Sequence, residues 1–139
     1  MRREPRNWKY KRTFKFTNKV ENLEPSMSHL CYSNYGLVVE KDTFLNYNQL
    51  FTVYRLLKKK FKKSCYLKFN ISCILPYTKK PVSARMGKGK GAWKGFNVFA
   101  RKGTIILELG NVDLINVILV FKACSKRLPV KTRLVKLKN

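Results

Sequence analysis

The sequence has 139 residues, of which 31 are Lys or Arg and seven are Asp or Glu, so its formal net charge at pH 7 is +24. Because a charge of this size repels itself and destabilises a compact fold, we expect the chain to bind a polyanion. Apolar residues make up 45% of the chain and aromatic residues 13%. This content exceeds that of disordered tails and predicts a single folded domain.

Few side chains are available for catalysis or metal binding. One histidine, two aspartates and five glutamates leave few general acids or bases, which indicates that the protein is not an enzyme and has no small-molecule substrate. The cysteines at 31, 65, 73 and 124 match no redox or zinc spacing and are expected to be reduced, semi-buried thiols. His29 and Cys31 lie close in sequence but lack further ligands, so we predict no metal and no cofactor.

The first 28 residues are interpreted as a basic N-terminal arm, followed by one folded domain over residues 29–139. Residues 1–19 contain eight Lys or Arg and no apolar stretch of signal-peptide length. The aromatic residues of this segment favour a structured arm over a cleaved organelle transit peptide, and Arg12 is included among the candidate RNA-binding residues. The longest apolar run, residues 117–121, is too short to cross a bilayer. A cationic membrane-surface protein is disfavoured because the basic segment at residues 76–95 has no apolar face, so we predict no membrane partner.

The first predicted elements are a strand at residues 35–40 and a helix that begins at Asn46. Asn46 precedes Gln49 by three residues, the capping-box arrangement that satisfies two backbone N–H groups at a helix start. Apolar residues then recur at three- and four-residue steps, which predicts a helix packed on the core. They are Leu50, Phe51, Tyr54, Leu57 and Phe61. The lysines that lie mostly off this stripe are either solvated or in contact with an RNA backbone. These candidates are Lys58, Lys59, Lys62 and Lys63.

Three further strands are predicted by alternation and by turn residues. Residues 66–75 alternate apolar and polar side chains, which is the period of a half-buried strand. Residues 96–101 and 104–109 predict two strands joined as a hairpin by a tight turn around Lys102 and Gly103.

The C-terminal part of the chain predicts a second helix and a closing strand. Residues 111–127 are ambiguous because their apolar side chains, at 114, 115 and 117–121, fall on every side. Their length, the cap candidates Asn111 and Asp113 and the stop at Pro129 favour a helix. Its apolar residues 114–121 are expected to belong to the core, with a protein interface as the alternative. A strand at residues 130–136 completes an α/β (α+β) sandwich of two layers, in which a mixed or antiparallel sheet packs against two helices.

The most informative segment is a predicted long loop at residues 76–95. Between Asp42 and Glu108 the chain has 65 residues with no acid and 15 Lys or Arg, so this central part is expected to face the polyanion. Alternation of Gly with Lys lets the backbone approach phosphates while each ammonium group neutralises one. Arg85 can form paired hydrogen bonds with a phosphate or a guanine edge, and Trp93 and Tyr77 are candidates to stack on a base. The RNA-binding candidates of the loop are Lys79, Lys80, Arg85, Met86, Gly87, Lys88, Gly89, Lys90, Gly91, Trp93 and Lys94.

Two other interpretations of the loop are disfavoured. A nucleotide-binding P-loop requires a different glycine spacing, between a strand and a helix. A plain flexible linker seldom alternates lysine with glycine between structured segments.

The same residues carry a resemblance to a known family. The pattern Pro81-x-x-x-Arg85-Met86-Gly87-Lys88-Gly89-Lys90-Gly91 resembles the signature of the bacterial-type large-subunit ribosomal protein L16 family. Tyr35-Gly36-Leu37 and Leu128-Pro129-Val130-Lys131-Thr132 are similar to its early strand and its closing segment. The resemblance extends over about residues 5–136.

This resemblance implies a two-layer α/β sandwich that is a structural constituent of the large ribosomal subunit. Its implied partners are large-subunit rRNA, the acceptor end and elbow of tRNA near the A site and peptidyl transferase centre, and neighbouring large-subunit ribosomal proteins. Arg85, Lys88 and Lys90 would then contact RNA, and Arg85 would be a candidate for hydroxylation. The alternative function is a free RNA- or DNA-binding basic protein, such as an RNA chaperone or a nucleoid protein.

Composition suggests a compartment. Lys outnumbers Arg by 22 to nine, Asn and Phe are frequent, and there are only four Ala, as expected for translation of an A+T-rich genome. We therefore expect an organelle-encoded protein of the mitochondrial ribosome, with a plastid as the second choice.

Overall fold

The computed structural model describes Pro5, Lys9 and residues 29–137, and these contain seven strands and two helices. In chain order the elements are β1 (Tyr35–Val39), β2 (Thr43–Asn46), α1 (Tyr47–Phe61), β3 (Tyr66–Phe69), β4 (Leu75–Lys79), β5 (Ala92–Ala100), β6 (Ile105–Gly110), α2 (Leu114–Ser125) and β7 (Thr132–Lys136). The predicted arm, apart from Pro5 and Lys9, lies outside these residues and stays a prediction.

The strands form two antiparallel sheets. One has four strands in the order β3-β6-β1-β7, and the other has three in the order β2-β5-β4. The α+β class and the two helices agree with the sequence prediction, whereas the strands are divided between two sheets instead of lying in one.

The predicted hairpin of residues 96–109 is wrong, although its turn is present. The backbone N–H of Thr104 donates to the carbonyl of Arg101 at 3.0 Å, but β5 pairs with β2 and β4 while β6 pairs with β1 and β3. The turn therefore carries the chain from one sheet to the other. Two hydrogen bonds hold this turn against the segment that connects β1 to β2. Gly103 N donates to Val39 O at 2.8 Å, and Lys102 N donates to Asp42 Oδ1 at 2.6 Å.

The predicted strand at residues 66–75 is shorter in the structure, and part of the predicted loop is a strand. β3 ends at Phe69, and the chain then crosses to the other sheet and forms β4. Pro76 is tolerated there because β4 is the edge strand, where a missing N–H need not break a ladder. The loop between β4 and β5 is correspondingly reduced to residues 80–91.

One hydrophobic core joins both helices to both sheets. All six residues of β6 are buried because this strand lies inside the four-stranded sheet. Helix α1 begins with the predicted capping box, in which Asn46 N donates to Gln49 Oε1 at 2.9 Å. Its buried stripe is Leu50, Val53, Leu57 and Phe61.

Two residues of the predicted α1 stripe are displaced from the core. Phe51 and Tyr54 are only half-buried and stack on each other with ring centroids 6.1 Å apart. Val53, which the sequence analysis omitted, occupies the core position between Leu50 and Leu57.

Helix α2 confirms the predicted second helix but is not buried all round. Val117, Val120 and Phe121 are buried, whereas Ile115 is 74% exposed and Leu119 59% exposed. The expectation that residues 114–121 all belong to the core is therefore wrong for the outer face of the helix.

The four cysteines are separate thiols with different surroundings. Cys73 and Cys124 are buried, Cys65 is half-buried and Cys31 is exposed, so the expected semi-burial is right for Cys65 and wrong for the other three. Burial raises the pKa of Cys73 and of Cys124 to about 11, which keeps both thiols protonated and poorly reactive at neutral pH.

Candidate nucleic-acid interface

The basic loop is held at its base by the pairing of β4 with β5. Lys79 at the end of β4 lies opposite Ala92 at the start of β5. Gly91 closes this base, since a Cβ atom there would lie 2.6 Å from Lys79 C and 2.7 Å from Lys80 N. Only glycine allows the two chain segments to approach this closely.

At its tip the loop adopts a left-handed backbone over three successive residues. The φ angles are 93° at Gly87, 54° at Lys88 and 82° at Gly89. Two of these three positions are glycines, which enter this region without steric strain. The Lys80 ammonium group donates a hydrogen bond to the carbonyl of Gly87, and this bond ties the tip back to the base.

The tip is fully accessible to a partner. Every residue from 81 to 90 is exposed, and the sequence from Thr43 to Leu107 contains no acid. The cations of the loop and the adjoining strand ends are Lys79, Lys80, Arg85, Lys88, Lys90 and Lys94. This arrangement offers ammonium and guanidinium groups to phosphates without an internal carboxylate to compete for them.

The two aromatic candidates lie at the base of the loop and not at its tip. Trp93 is half-buried in β5, with its ring edge-on to Phe96 at a centroid distance of 5.6 Å. Tyr77 is half-buried in β4, and its ring covers Gly95. Both rings pack within the three-stranded sheet and its core, so they support the base on which the tip is carried.

A second basic region lies at the end of α1. Lys58, Lys59 and Lys60 occupy its last turn, Lys62 follows at the C-cap, and Lys63 comes next; all are exposed. Basic residues at this end also interact favourably with the negative end of the helix dipole. Of the other sequence-predicted candidates, Arg12 lies outside the described residues.

The structure does not bring the two basic regions together. The first residues of α1 line a small cavity with Tyr77 and the loop end of β5, so the helix starts beside the base of the loop. Because α1 has 15 residues, its lysine-rich end lies about 20 Å away. An RNA that contacts both the base of the loop and this end of α1 must therefore span about the length of the helix.

The buried acid Glu108 lies apart from these basic surfaces and has a structural role. Its side chain is fully buried in β6. Oε1 accepts hydrogen bonds from Asn70 Nδ2 at 2.6 Å and Cys31 N at 3.4 Å, and Oε2 accepts one from Tyr32 N at 2.8 Å. The carboxylate thereby fixes the segment before β1 to the four-stranded sheet.

The described residues contain no cluster of three or more His, Cys, Asp or Glu side chains that could hold a metal ion. No helix among them has the length and hydropathy needed to span a membrane. Fold and surface together define a cationic α+β protein with an exposed Gly/Lys loop, suited to binding polyanions.

Comparison with known proteins assigns it to a family. Residues 5–135 match the ribosomal protein L16p/L10e family, and the chain belongs to this family. It is 30% identical to the large ribosomal subunit protein uL16 of Carsonella ruddii over 96% of this chain and 98% of that protein. The uL16 proteins of Borrelia turicatae and Thermus thermophilus are 29% and 24% identical, over 94% and 95% of this chain and 94% and 92% of their own lengths. The chain is therefore a ribosomal protein with a structural role, and it is not an enzyme.

Sequence reasoning missed some of the residues that organise these surfaces. Gly91 was recognised as part of the loop motif, but its close approach to Lys79 and Lys80 depends on a strand that was not predicted. Arg55, Lys60 and Arg127 were not included among the site residues. The recurrence of lining residues at 52, 55, 56, 59 and 60 is the signal that could have identified the face of α1 that carries Arg55 and Lys60, whereas Arg127 follows α2 and no such spacing connects it to them.

Proposed function

We propose that this protein is a structural component of the large ribosomal subunit that binds rRNA through its basic loop and through the lysine-rich end of α1. The loop would approach tRNA near the A site and the peptidyl transferase centre, and other large-subunit proteins would be its neighbours. The observation that carries the proposal is the exposed, acid-free loop tip at residues 81–90, with its left-handed backbone and its cations. Membership of a ribosomal protein family supports it.

The chemistry required of this loop is electrostatic. Two RNA strands that approach each other repel through their phosphates, and positioned lysine and arginine side chains reduce that repulsion. Phosphate contacts of this kind fix position and orientation without reading a base sequence. Lys88 and Lys90 would supply point charges, whereas the planar Arg85 guanidinium would hold a phosphate by two parallel hydrogen bonds.

The double variant K88A/K90A tests the role of the loop. We expect peptide-bond formation or A-site tRNA accommodation to slow by about threefold or more, because two weak phosphate contacts are lost. Stability should be nearly unchanged, since both side chains are exposed. The measurement is rapid kinetics on large subunits purified from cells that carry the variant.

The matched control is K41A/K136A, which removes the same charge from two exposed lysines outside the loop. This control should leave the kinetics unchanged. Equal slowing by both variants would mean that the loss of two positive charges, and not their position in the loop, slows the reaction. Normal kinetics in K88A/K90A with intact assembly would contradict the proposed role of the loop.

Retention on the ribosome distinguishes a structural component from a free nucleic-acid-binding protein. We expect one copy per large subunit by quantitative mass spectrometry, unchanged by a wash at about 0.5 M salt, because a protein embedded in folded RNA is kinetically retained. A protein held only by several surface phosphates loses about a thousandfold in affinity between about 50 and 200 mM salt. Substoichiometric binding or loss in the wash would favour the free RNA- or DNA-binding protein instead.

The proposed compartment is the mitochondrion, with the protein in the large subunit of its ribosome. The support is compositional: the chain has 22 Lys, nine Arg and only four Ala, as expected from an A+T-rich gene. A plastid ribosome is the second choice, and fractionation of organelles followed by mass spectrometry of their ribosomes separates the two.

A further inference from the structure

A groove of about 770 Å³ lies between α1 and α2, apart from the basic loop. Its floor is apolar and is formed by Leu56 of α1 together with Leu119, Val120 and Ala123 of α2. Leu119 is 59% exposed, so the floor offers apolar surface that the core does not use. Exposed apolar surface of this kind, bordered by polar groups, is typical of interaction sites.

The spacing of the groove residues makes it a continuous surface along both helices. On α1 the lining residues fall at 52, 55, 56, 59 and 60, which is one face of a helix at three- and four-residue steps. On α2, Leu119 and Ala123 are one turn apart, and Ile115 continues the same row one turn earlier. Since Ile115 is 74% exposed, the apolar row extends beyond the groove itself.

The rim of the groove is strongly basic. Arg55, Lys59 and Lys60 border it on α1, and Arg127 borders it beyond the end of α2. All four side chains are exposed, and the Arg55 guanidinium lies over the Phe51 ring at 5.9 Å from its centroid. None of the described residues that line the groove is acidic, so its charge favours an occupant that brings negative charge.

We infer that this groove binds an acidic amphipathic helix of a neighbouring protein. A helix can place an apolar stripe on the floor while carboxylates on its flanks pair with the basic rim, which is the helix-in-groove mode of recognition. An RNA backbone would satisfy the rim but leave the leucine side chains without an apolar partner. The chain's own residues 1–28 carry eight Lys or Arg and three Glu, a net positive charge that does not complement the rim.

This inference is independent of the proposed loop function and can be tested on the full chain in solution. The probe is a fluorescein-labelled peptide of about five helical turns, with leucines at i, i+3, i+4 and i+7 and glutamates elsewhere. A second peptide has the same composition in scrambled order. Fluorescence anisotropy is measured at about 0.15 M salt, where charge attraction at long range is screened.

The critical variant is L119E, and I74E is its control. Both residues are exposed apolar side chains, at 59% and 62%, and both variants add one negative charge. Ile74, however, lies outside the groove. We expect the ordered peptide to bind the wild type and I74E equally and to bind L119E about tenfold more weakly or worse. The scrambled peptide should bind all three proteins weakly and equally. The second variant, K59E, should weaken binding of the ordered peptide as well.

Several outcomes would overturn the inference. Equal binding of the ordered and scrambled peptides would mean that only charge is recognised, and an unaltered affinity in L119E would place the peptide elsewhere. If L119E weakens binding of an RNA hairpin as much as binding of the ordered peptide, the groove is an RNA site. If the wild type dimerises in sedimentation experiments and L119E does not, the occupant is a second copy of this chain.

Discussion

Replacing Glu108 with glutamine should destabilise the folded protein at neutral pH by about 2 kcal/mol or more. The carboxylate is fully buried and accepts hydrogen bonds from Asn70 Nδ2, Cys31 N and Tyr32 N. Glutamine keeps one acceptor oxygen but turns an NH₂ group toward groups that are themselves donors. At least one of these N–H groups then loses its partner, and hydrogen bonds to an ionised group are among the strongest in a protein.

The effect should depend on pH in a defined direction. Burial raises the pKa of Glu108. The hydrogen bonds from the Asn70 side chain and from backbone N–H groups lower this pKa by more than burial raises it, so the pKa lies below that of an ordinary glutamate. A carboxyl group whose pKa is depressed by folding stabilises the protein above its unfolded pKa, and this stability is lost as the pH falls through its folded pKa. The difference between the wild type and E108Q should therefore be largest near neutral pH and should shrink in acid.

Denaturant unfolding at about pH 7 and about pH 3.5 measures this difference. The control is E40Q, which makes the same change of charge at an exposed acid and should alter the free energy of unfolding by less than about 0.5 kcal/mol. If E108Q and E40Q have the same unfolding free energies at both pH values, Glu108 does not hold the segment before β1 to the sheet.

Elements with a local cause were predicted correctly from the sequence. The capping box of Asn46 and Gln49 lies within four residues, and the apolar spacing that follows it is set by the helix itself. The loop was similarly marked by its own glycines and lysines. Strands mixed with two helices already predicted the α+β class, and the family resemblance implied the same fold.

Elements that depend on distant partners were not predicted. The turn at Lys102 and Gly103 looks the same whether the strands around it pair with each other or enter different sheets, because the deciding contacts are to Val39 and Asp42. The exposed face of α2 could not be predicted for the same reason. Its apolar residues fall on every side of the helix, so they give no period that distinguishes Val117 from Ile115. Glu108 was noted only as the end of an acid-free segment, since nothing near it in sequence shows that Tyr32 and Asn70 are its partners.

The base of the basic loop depends both on a local feature, the glycine at position 91, and on a more distant partner, the end of β4. The variant Gly91→Ala tests whether the close approach of these two segments holds the loop. The added Cβ would lie 2.6 Å from Lys79 C, 2.7 Å from Lys80 N and 2.8 Å from Lys79 O. These are backbone atoms, so the overlap can be relieved only by separating β4 from β5 where Lys79 pairs with Ala92. We expect a loss of stability of about 1–3 kcal/mol and a loop tip that no longer has a fixed position relative to the sheet.

Hydrogen–deuterium exchange locates this effect. In G91A, the amides of residues 78–80 and 92–93 should exchange about tenfold faster or more, equivalent to about 1.4 kcal/mol of local opening free energy. The amides of the core strand β6 should lose only as much protection from exchange as the global loss of stability removes. In ribosomes, G91A should impair translation at least as strongly as K88A/K90A, because it displaces every cation of the tip together.

Variants at two other glycines distinguish a backbone clash at the base of the loop from a side-chain contact and from backbone strain at the tip. In G95A the added Cβ meets the Tyr77 ring at 3.2 Å, and this side chain can shift, so the base of the loop should stay closed. In G89A the Cβ enters open space, but the φ angle of 82° imposes backbone strain of about 1 kcal/mol at the tip alone. If G91A exchanges no faster than G95A at residues 78–80 and 92–93, close packing at Gly91 does not hold the loop.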